Sequence, residues 1–307
     1  MIAMLQRTRQ RLGGTFVERI LKATGLGRVG LRAYEACVLH RGWHSLSMFG
    51  TIFKFQASSR IEVTQIDMQA NTEREYVARL LDVIQPGDVI YDIGANIGYV
   101  SLVLGARAPH ATRILAFEPD PDNAAHLRTN IHCNGVQNIT VYEVALGNET
   151  GRCVLFVEGE VGTGTHSIVG SKDGRSRRIE VNVVSGADFV KQGHPNPDIL
   201  KIDVEGAEAN VLYGFEPLLE RGLVREIFVE MHPERLAQAG TNAESLTRWL
   251  KHRGYDCASA RRRGSEMHCH FRRTCRRTDM QGTNSGGSTS RAHCSCDVQD
   301  HGKHYSE

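Results

Sequence analysis

Asp92 and Glu118 each close a short apolar run, and glycines follow the first acid at a fixed spacing. The stretch Val89-Ile90-Tyr91-Asp92-Ile93-Gly94-Ala95-Asn96-Ile97-Gly98-Tyr99 reads as a strand that ends in a glycine turn and opens a helix. Such a turn cradles a nucleotide-like ligand. Gly94 removes the side chain where the backbone bends sharply, and Gly98 lets the helix start lie close to the strand or the ligand. Gly94, Ala95, Asn96 and Gly98 are therefore the expected backbone cradle. The spacing is Asp-x-Gly-x-x-x-Gly, whereas a Gly-x-Gly-x-x-Gly turn brings a pyrophosphate against a helix N-terminus. An acid kept in the turn repels a pyrophosphate and suits a cationic ligand. S-adenosylmethionine has an ammonium group, a sulfonium and no phosphate, and Asp92 is expected near its methionine part.

Glu118 follows Gly98 by 20 residues, at the end of Arg113-Ile114-Leu115-Ala116-Phe117. That is where the second strand of such a unit places an acid on the ribose hydroxyls. Glu143 ends a third run, Ile139 to Tyr142, and either faces the adenine or stays a surface acid.

A third group of acids lies in Lys201-Ile202-Asp203-Val204-Glu205-Gly206-Ala207-Glu208. Asp203 and Glu205 are two apart at a strand end, so they share one face. Open α/β sheets place ligands at that edge. Glu208 sits one helical turn beyond Glu205, and His232 ends the next strand, Glu226 to Met231. Asp203 is expected as the base or orienting acid for a hydroxyl nucleophile, with His232 second and Glu205 beside them. The same residues could also form a metal pair, but no metal is expected. Lys201 is read as structural.

These residues need elements to hold them. Tyr76, Val77, Leu80, Leu81 and Ile84 recur at helical spacing, with Thr72 and Glu75 as a possible capping box and Pro86-Gly87 as the stop. Strand and helix then alternate: strand 88–93, helix 97–107, strand 112–118, helix 121–133 and strand 139–144. The rhythm resumes with strand 199–203, helix 206–213, strand 226–231 and helix 242–252. Such alternation predicts an α/β fold with a mainly parallel sheet and helices on both faces. Residues 152–185 break it with strand-like runs at 153–157, 167–169 and 179–184, read as a β insertion or lid near the crevice. Residues 1–50 read as a helical N-terminal extension, followed by strand-like stretches at 51–55 and 61–63.

In order along the chain, these motifs resemble the FkbM-like S-adenosylmethionine-dependent methyltransferases. The resemblance covers roughly residues 65–256. It rests on the Asp92–Gly98 turn, on Phe117-Glu118-Pro119, on Val144-Ala145-Leu146-Gly147, on the Lys201–Glu208 block and on Glu230-Met231-His232. It implies a class I methyltransferase (Rossmann-like) fold. It also implies O-methylation of a hydroxyl, often on a sugar or a polyketide-derived compound, so a small-molecule or glycan acceptor is expected. Members of the family close the sheet with a final pair of strands after the position of Gly254-Tyr255. Here Tyr255 leads into a stretch rich in Arg, Cys, His and Ser. The expected division is an accessory segment over 1–64, the methyltransferase domain over 65–256 and a disordered tail over 257–307. The alternation of Met267, Cys269 and Phe271 allows a weak edge hairpin within 255–272.

Composition sets the remaining bounds. The chain has 307 residues, 40% hydrophobic and 23% charged, with a formal charge of +2. That is ordinary for a globular protein and makes no case for nucleic acid. Residues 1–60 hold ten Lys and Arg against Glu18 and Glu35, which allows weak contact with a membrane surface but reads first as a solvated face. No apolar run reaches the roughly 18 residues of a spanning helix. No secretory signal is visible, so a cytoplasmic protein without a disulfide framework is expected. Five of the eight cysteines fall in the last 51 residues, without the paired spacing of a zinc site. Two other functions fit the elements: an NAD(P)-dependent oxidoreductase, against which Asp92 and the missing third glycine argue, and a catalytically impaired relic of a methyltransferase.

Overall fold

The computed structural model describes residues 36, 38–157, 159, 161–162 and 176–274. Of the helical extension expected over 1–50, residues 1–35 lie outside the described residues, as do the strand at 167–169 and the tail beyond 274; within it, Trp43–Met48 is a strand and not a helix, because it pairs with Thr51–Gln56.

A seven-stranded sheet carries the molecule, with strand order β11-β12-β10-β9-β3-β4-β5. Its parallel part is β3 (Val89–Ile93), β4 (Arg113–Phe117), β5 (Ile139–Tyr142), β9 (Ile199–Ile202) and β10 (Glu226–Met231). Every residue of β3, β9 and β10 is buried. These three are near-continuous apolar runs because a parallel strand has helices over both faces. Successive side chains divide between two cores: Tyr91, Leu200 and Ile227 face one cluster, and Ile90, Ile199 and Phe228 the other.

The alternation read from the sequence holds across this part. Helix α3 (Tyr99–Arg107) follows β3, and α4 (Pro121–Asn134) follows β4, capped by the Asp120 side chain on the Asp122 N–H. Helices α6 (Glu208–Gly214) and α7 (Glu216–Glu220) follow β9. Helix α8 (Pro233–Gln238) and α9 (Ala243–His252) follow β10, with Leu246 and Leu250 of α9 fully buried. Among the described residues, no helix is long and apolar enough to cross a membrane. The break in rhythm is a separate three-stranded sheet of β6 (Ala145–Gly147), β7 (Gly151–Val157) and β8 (Arg177–Ser185), ended by the short helix α5 (Gly186–Lys191).

Three further expectations need correction. Residues 61–63 are helical, within α1 (Arg60–Thr72), because the Ser59 side chain caps the Glu62 N–H and Glu62 in turn accepts from the Ser58 N–H. The helix that follows is α2 (Arg74–Val83), and it begins at Glu73 with no side-chain cap, so Thr72 and Glu75 form no capping box.

Second, the boundary at 64/65 falls inside α1. The hairpin β1 (Trp43–Met48) and β2 (Thr51–Gln56) sends Phe53 and Phe55 into the core shared with Ile90 and Leu102. It is also tied to α4, through Asn130 and Asn134.

Third, the disordered tail does not begin at residue 257, since the edge hairpin expected within 255–272 forms. Strands β11 (Tyr255–Arg263) and β12 (Glu266–Arg273) form an antiparallel hairpin, and β12 pairs antiparallel with β10. Cys269 and Phe271 supply the apolar side of β12. Its other side is His268 and His270, which are buried because acids and rings of neighbouring elements take them. His268 lies on the Tyr76 ring and pairs with Glu230, and His270 stacks on Phe228 and bonds Glu226. A strand with almost no aliphatics thus closes the sheet by pairing its polar groups.

Candidate active site

The carboxyl ends of β3, β4 and β9 open into a cleft of about 340 Å³, within the range of small-molecule sites. Its walls include Gly94, Asn96, Glu118, Asn123, Asp203 and Glu205, with residues 144–153 opposite.

Gly94 and Ala95 both donate their N–H groups to the Phe117 carbonyl, at 3.0 Å. This binds the turn after β3 to the end of β4. Gly94 has φ +78°, and a Cβ there would lie 1.8 Å from the Asp203 carbonyl oxygen. No side chain fits where the turn crosses the end of β9. Gly98 has φ +93°, and a Cβ on it would meet Leu127 at 2.3 Å. Asn96 also takes a left-handed φ, 51°. Its N–H donates to Glu118 Oε2 at 2.8 Å, while the Asp120 N–H donates to Oε1 at 3.0 Å. Glu118 is therefore fixed by backbone on the cleft wall. Burial pushes its carboxyl up to about 7, although these backbone hydrogen bonds pull the other way.

Asp92 lies beneath the turn, fully buried, and is not on the cleft wall. It accepts from the Ser101 hydroxyl and forms a 3.1 Å ion pair with Lys201. Lys201 Nζ also donates to the Gly94 carbonyl at 3.1 Å and lies 3.8 Å from Asp203. Burial disfavours its charge, but Asp92 and Asp203 outweigh that and hold it firmly protonated. Lys201 thus ties β9 to the turn and to both strand-end acids. Lys201 pairs in register with Asp92 across adjacent parallel strands, which only the fold reveals.

Ala95 and Gly98 shape the turn from behind and do not line the cleft. Glu143 is not brought to it either. It sits exposed and pairs with Arg128 at 2.9 Å.

At the ends of β9 and β10, side chains make the contacts. Glu205 holds a left-handed φ of 53° and meets the Arg235 guanidinium at 3.3 Å and His232 Nε2 at 3.4 Å. Burial, with the Asp203 charge, pushes Glu205 up to about 7 against the pull of His232 and Arg235. His232 Nδ1 meets Glu208 Oε1 at 2.6 Å, and that oxygen also accepts from the Gly206 N–H at 2.9 Å. Burial opposes a charged ring, yet the Glu208 hydrogen bond and the nearby carboxylates raise His232 to about 9. At neutral pH the ring is a cation and a poor base. The structure brings Asp203, Glu205 and His232 together, and it adds Glu208, fully buried behind them.

A second charged group lies behind the acids. Glu73 and Glu230 share Arg263, and burial pushes Glu230 up to about 11. This group joins the start of α2 to β10 and the β11–β12 hairpin.

The family model described as the methyltransferase FkbM domain matches residues 92–257. Over 203 residues the chain is 28% identical to the hexuronic acid methyltransferase AglP of Haloferax volcanii, covering 66% of this chain and 77% of that protein. Over 189 residues it is 29% identical to the 31-O-demethyl-FK506 methyltransferase FkbM of Streptomyces tacrolimicus, covering 52% of this chain and 71% of that protein. Among solved structures it is similar to a precorrin-6y C5,15-methyltransferase of Geobacter metallireducens, at 17% identity and a TM-score of 0.38, over 66% of this chain and 89% of that one.

Proposed function

The chain belongs to the FkbM methyltransferase family, and we propose that it transfers a methyl group from S-adenosylmethionine to a hydroxyl of a sugar or secondary-metabolite acceptor. The observation that carries the cofactor reading is Glu118. It is a buried acid on the cleft wall, oriented by two backbone N–H groups, and among the described residues no cation pairs with it. A carboxylate so placed accepts from the two hydroxyls of a ribose and repels a phosphate. The donor set suits a cationic cofactor of that kind.

Glu118 would hold the ribose, and the backbone of residues 94–96 would face the rest of the cofactor. Asp92 and Lys201 would brace the turn from beneath. Bound there, S-adenosylmethionine supplies a methyl carbon on a sulfonium that departs as a neutral thioether. Asp203, on the cleft wall with its side chain 34% exposed, is the group placed to take the acceptor proton. As the hydroxyl gives that proton to Asp203, its oxygen electron pair becomes the new O–C bond. Holding the two reactants in line can supply roughly 7–11 kcal/mol of the barrier reduction. The sugar or secondary-metabolite class is supported by the two named relatives, one a hexuronic acid methyltransferase and one a 31-O-demethyl-FK506 methyltransferase. The cleft is the place for such a small-molecule or glycan acceptor.

A thermal-shift assay tests the cofactor. S-adenosylhomocysteine is expected to raise the melting temperature by preferential binding to the folded state, and NAD to leave it unchanged. In Glu118→Ala the shift should fall, with affinity reduced on the order of 10–100-fold, as for the loss of hydrogen bonds to a charged group. An undiminished shift in that variant would remove the ribose assignment. A shift with NAD would move the reading to a dehydrogenase, and cofactor binding without turnover on any hydroxyl acceptor would support a catalytically impaired relic.

A further inference from the structure

We propose that Asp203, Glu205 and His232 form a binding site for one divalent cation of the magnesium or manganese kind, at the acceptor side of the cleft. The sequence alone led to the opposite expectation, no metal. What reverses it is the arrangement of four side chains from three elements.

One ligand atom from each of Asp203, Glu205 and His232 lies within 4.8 Å of the other two. His232 Nε2 and Glu205 Oε2, 3.4 Å apart, are spaced as atoms that share one ion at about 2.0–2.3 Å each. Asp203 and Glu205 follow β9, His232 follows β10, and those strands are parallel neighbours. Two of the three residues also line the cleft. An ion held there would face incoming acceptor.

The back of the imidazole is held as metal-binding histidines usually are. A ligating histidine as a rule gives its other ring nitrogen to a carboxylate or carbonyl, which fixes the tautomer and the ring plane. Here Glu208 Oε1 takes Nδ1 at 2.6 Å, and Nε2 is the nitrogen turned toward Glu205, at 3.4 Å. Glu208 is itself fixed by the Gly206 N–H and is fully buried at the start of α6. Its second oxygen, Oε2, is buried and has no hydrogen-bond partner. A buried carboxylate oxygen without a donor is costly. Oε2 is an acceptor for which the described side chains supply no donor.

Of the cations nearby, the His232 ring meets Glu208 through Oε1 and would give up its Nε2 proton to an ion. Lys201 lies nearer Asp92, at 3.1 Å, than Asp203, at 3.8 Å. Arg235 is placed on Glu205 alone of the three carboxylates, at 3.3 Å. Two carboxylates and one imidazole, with room on the cleft side, suit an oxygen-preferring ion that keeps water or substrate in its remaining positions. The two other acid–histidine groups, Glu73 with Glu230 and His268 and Glu230 with His232 and Glu266, each have Arg263 already on their carboxylates.

The role in the reaction rests on the methyltransferase reading; the binding does not. An ion at this place would bind the acceptor oxygen and lower the pKa of its hydroxyl. The proton then passes to Asp203 and the oxygen pair to the methyl carbon, as above.

The test is a titration of the full chain, stripped with a chelator, against Mn²⁺, following free Mn²⁺ by electron paramagnetic resonance. One Mn²⁺ per chain is expected. Glu205→Gln and His232→Ala should each abolish that binding, and Glu208→Gln should weaken it by roughly 10–100-fold, as outer-shell partners do. S-adenosylhomocysteine binding, measured by calorimetry on the same samples, reports the fold of each variant. Absence of Mn²⁺ binding in a wild-type chain that binds S-adenosylhomocysteine overturns the proposal and leaves the methyltransferase reading standing. Mn²⁺ binding that survives Glu205→Gln and His232→Ala also overturns it, since the ion then sits elsewhere. Site-specific Mn²⁺ binding without S-adenosylhomocysteine binding upholds the ion site and removes the cofactor reading instead.

Discussion

At the ends of β3 and β4 the polar contacts are made largely by backbone. The Gly94 and Ala95 N–H groups reach the Phe117 carbonyl, and the Asn96 and Asp120 N–H groups reach Glu118. At the ends of β9 and β10 the contacts are made by side chains: Glu205 with Arg235 and His232, and His232 with Glu208. Backbone contacts demand particular residues at particular places, because a Cβ or a shift of one residue destroys them. Side-chain contacts demand charge balance, and many residue combinations achieve it. The first region behaves as a rigid mould. The second is a set of interacting charges whose protonation depends on every neighbour.

The sharpest way to break this comparison is Gly94→Ala. The added Cβ would lie 1.8 Å from the Asp203 carbonyl oxygen at φ +78°, so either the turn or the end of β9 must move. A loss above about 4 kcal/mol in stability is expected, the exceptional range for one substitution, and denaturant unfolding measures it. A loss near 1 kcal/mol would mean that the turn is pliable and the mould description is wrong.

Next in size is Asp203→Asn. Turnover should fall on the order of 10²–10⁴-fold, the usual worth of a positioned acid or base, while S-adenosylhomocysteine affinity changes less than about threefold. Equal losses in both would place Asp203 in the first region by function, as a binding or folding residue.

Smaller again is a pH effect that compares the two regions directly. Glu118 is raised to about 7 by burial, so its charged form, which accepts the ribose hydroxyls, is present above that pH and lost below it. Cofactor affinity should rise from pH 6 to pH 8 by up to roughly tenfold, read by calorimetry. Stability from this group runs the other way. The folded state keeps the proton more tightly than the unfolded one, so the contribution declines as pH rises from 4.5 to about 7. His232 contributes stability that is whole below 6.5 and lost as pH rises through about 9. A flat affinity profile from pH 6 to pH 8 would show that Glu118 does not titrate in the free cleft.

The smallest effect belongs to Glu143→Ala. The residue is exposed and paired with Arg128, so cofactor affinity and stability should both stay within about 0.5 kcal/mol. A tenfold weaker cofactor would show that the side chain turns inward on binding.

The same contrast explains what could be read from the sequence. The sheet, its helices and the β3–β4 turn were legible because apolar periodicity and glycine spacing are local. So was the meeting of Asp203, Glu205 and His232, because strand ends of one sheet share an edge. The tie that Lys201 makes was not legible because it depends on Asp92, 109 residues earlier, and alternation along one strand says nothing of a cross-strand charge. Glu205's left-handed backbone gave no warning, since a non-glycine residue there is uncommon. The closing hairpin was legible in the alternation of Met267, Cys269 and Phe271, but the tail boundary at 257 was not, because β12 replaces aliphatics with His268 and His270, whose burial depends on Glu230 and Glu226. A search for apolar runs passes over a strand of that kind.

That last strand has a consequence for how the molecule is made. A chain emerging from the ribosome folds from its N-terminal end, yet β10 pairs on one side with β12, the final strand of the sheet. Until Arg273 has emerged, β10 is an open edge flanked by apolar side chains, the condition in which nascent chains associate wrongly. The hairpin connection shortens that interval, since β12 can pair with β11 locally and then dock as a unit. A message truncated before Glu266 would keep the whole glycine turn and every acid of the cleft, and would still release a polypeptide with an unprotected sheet edge.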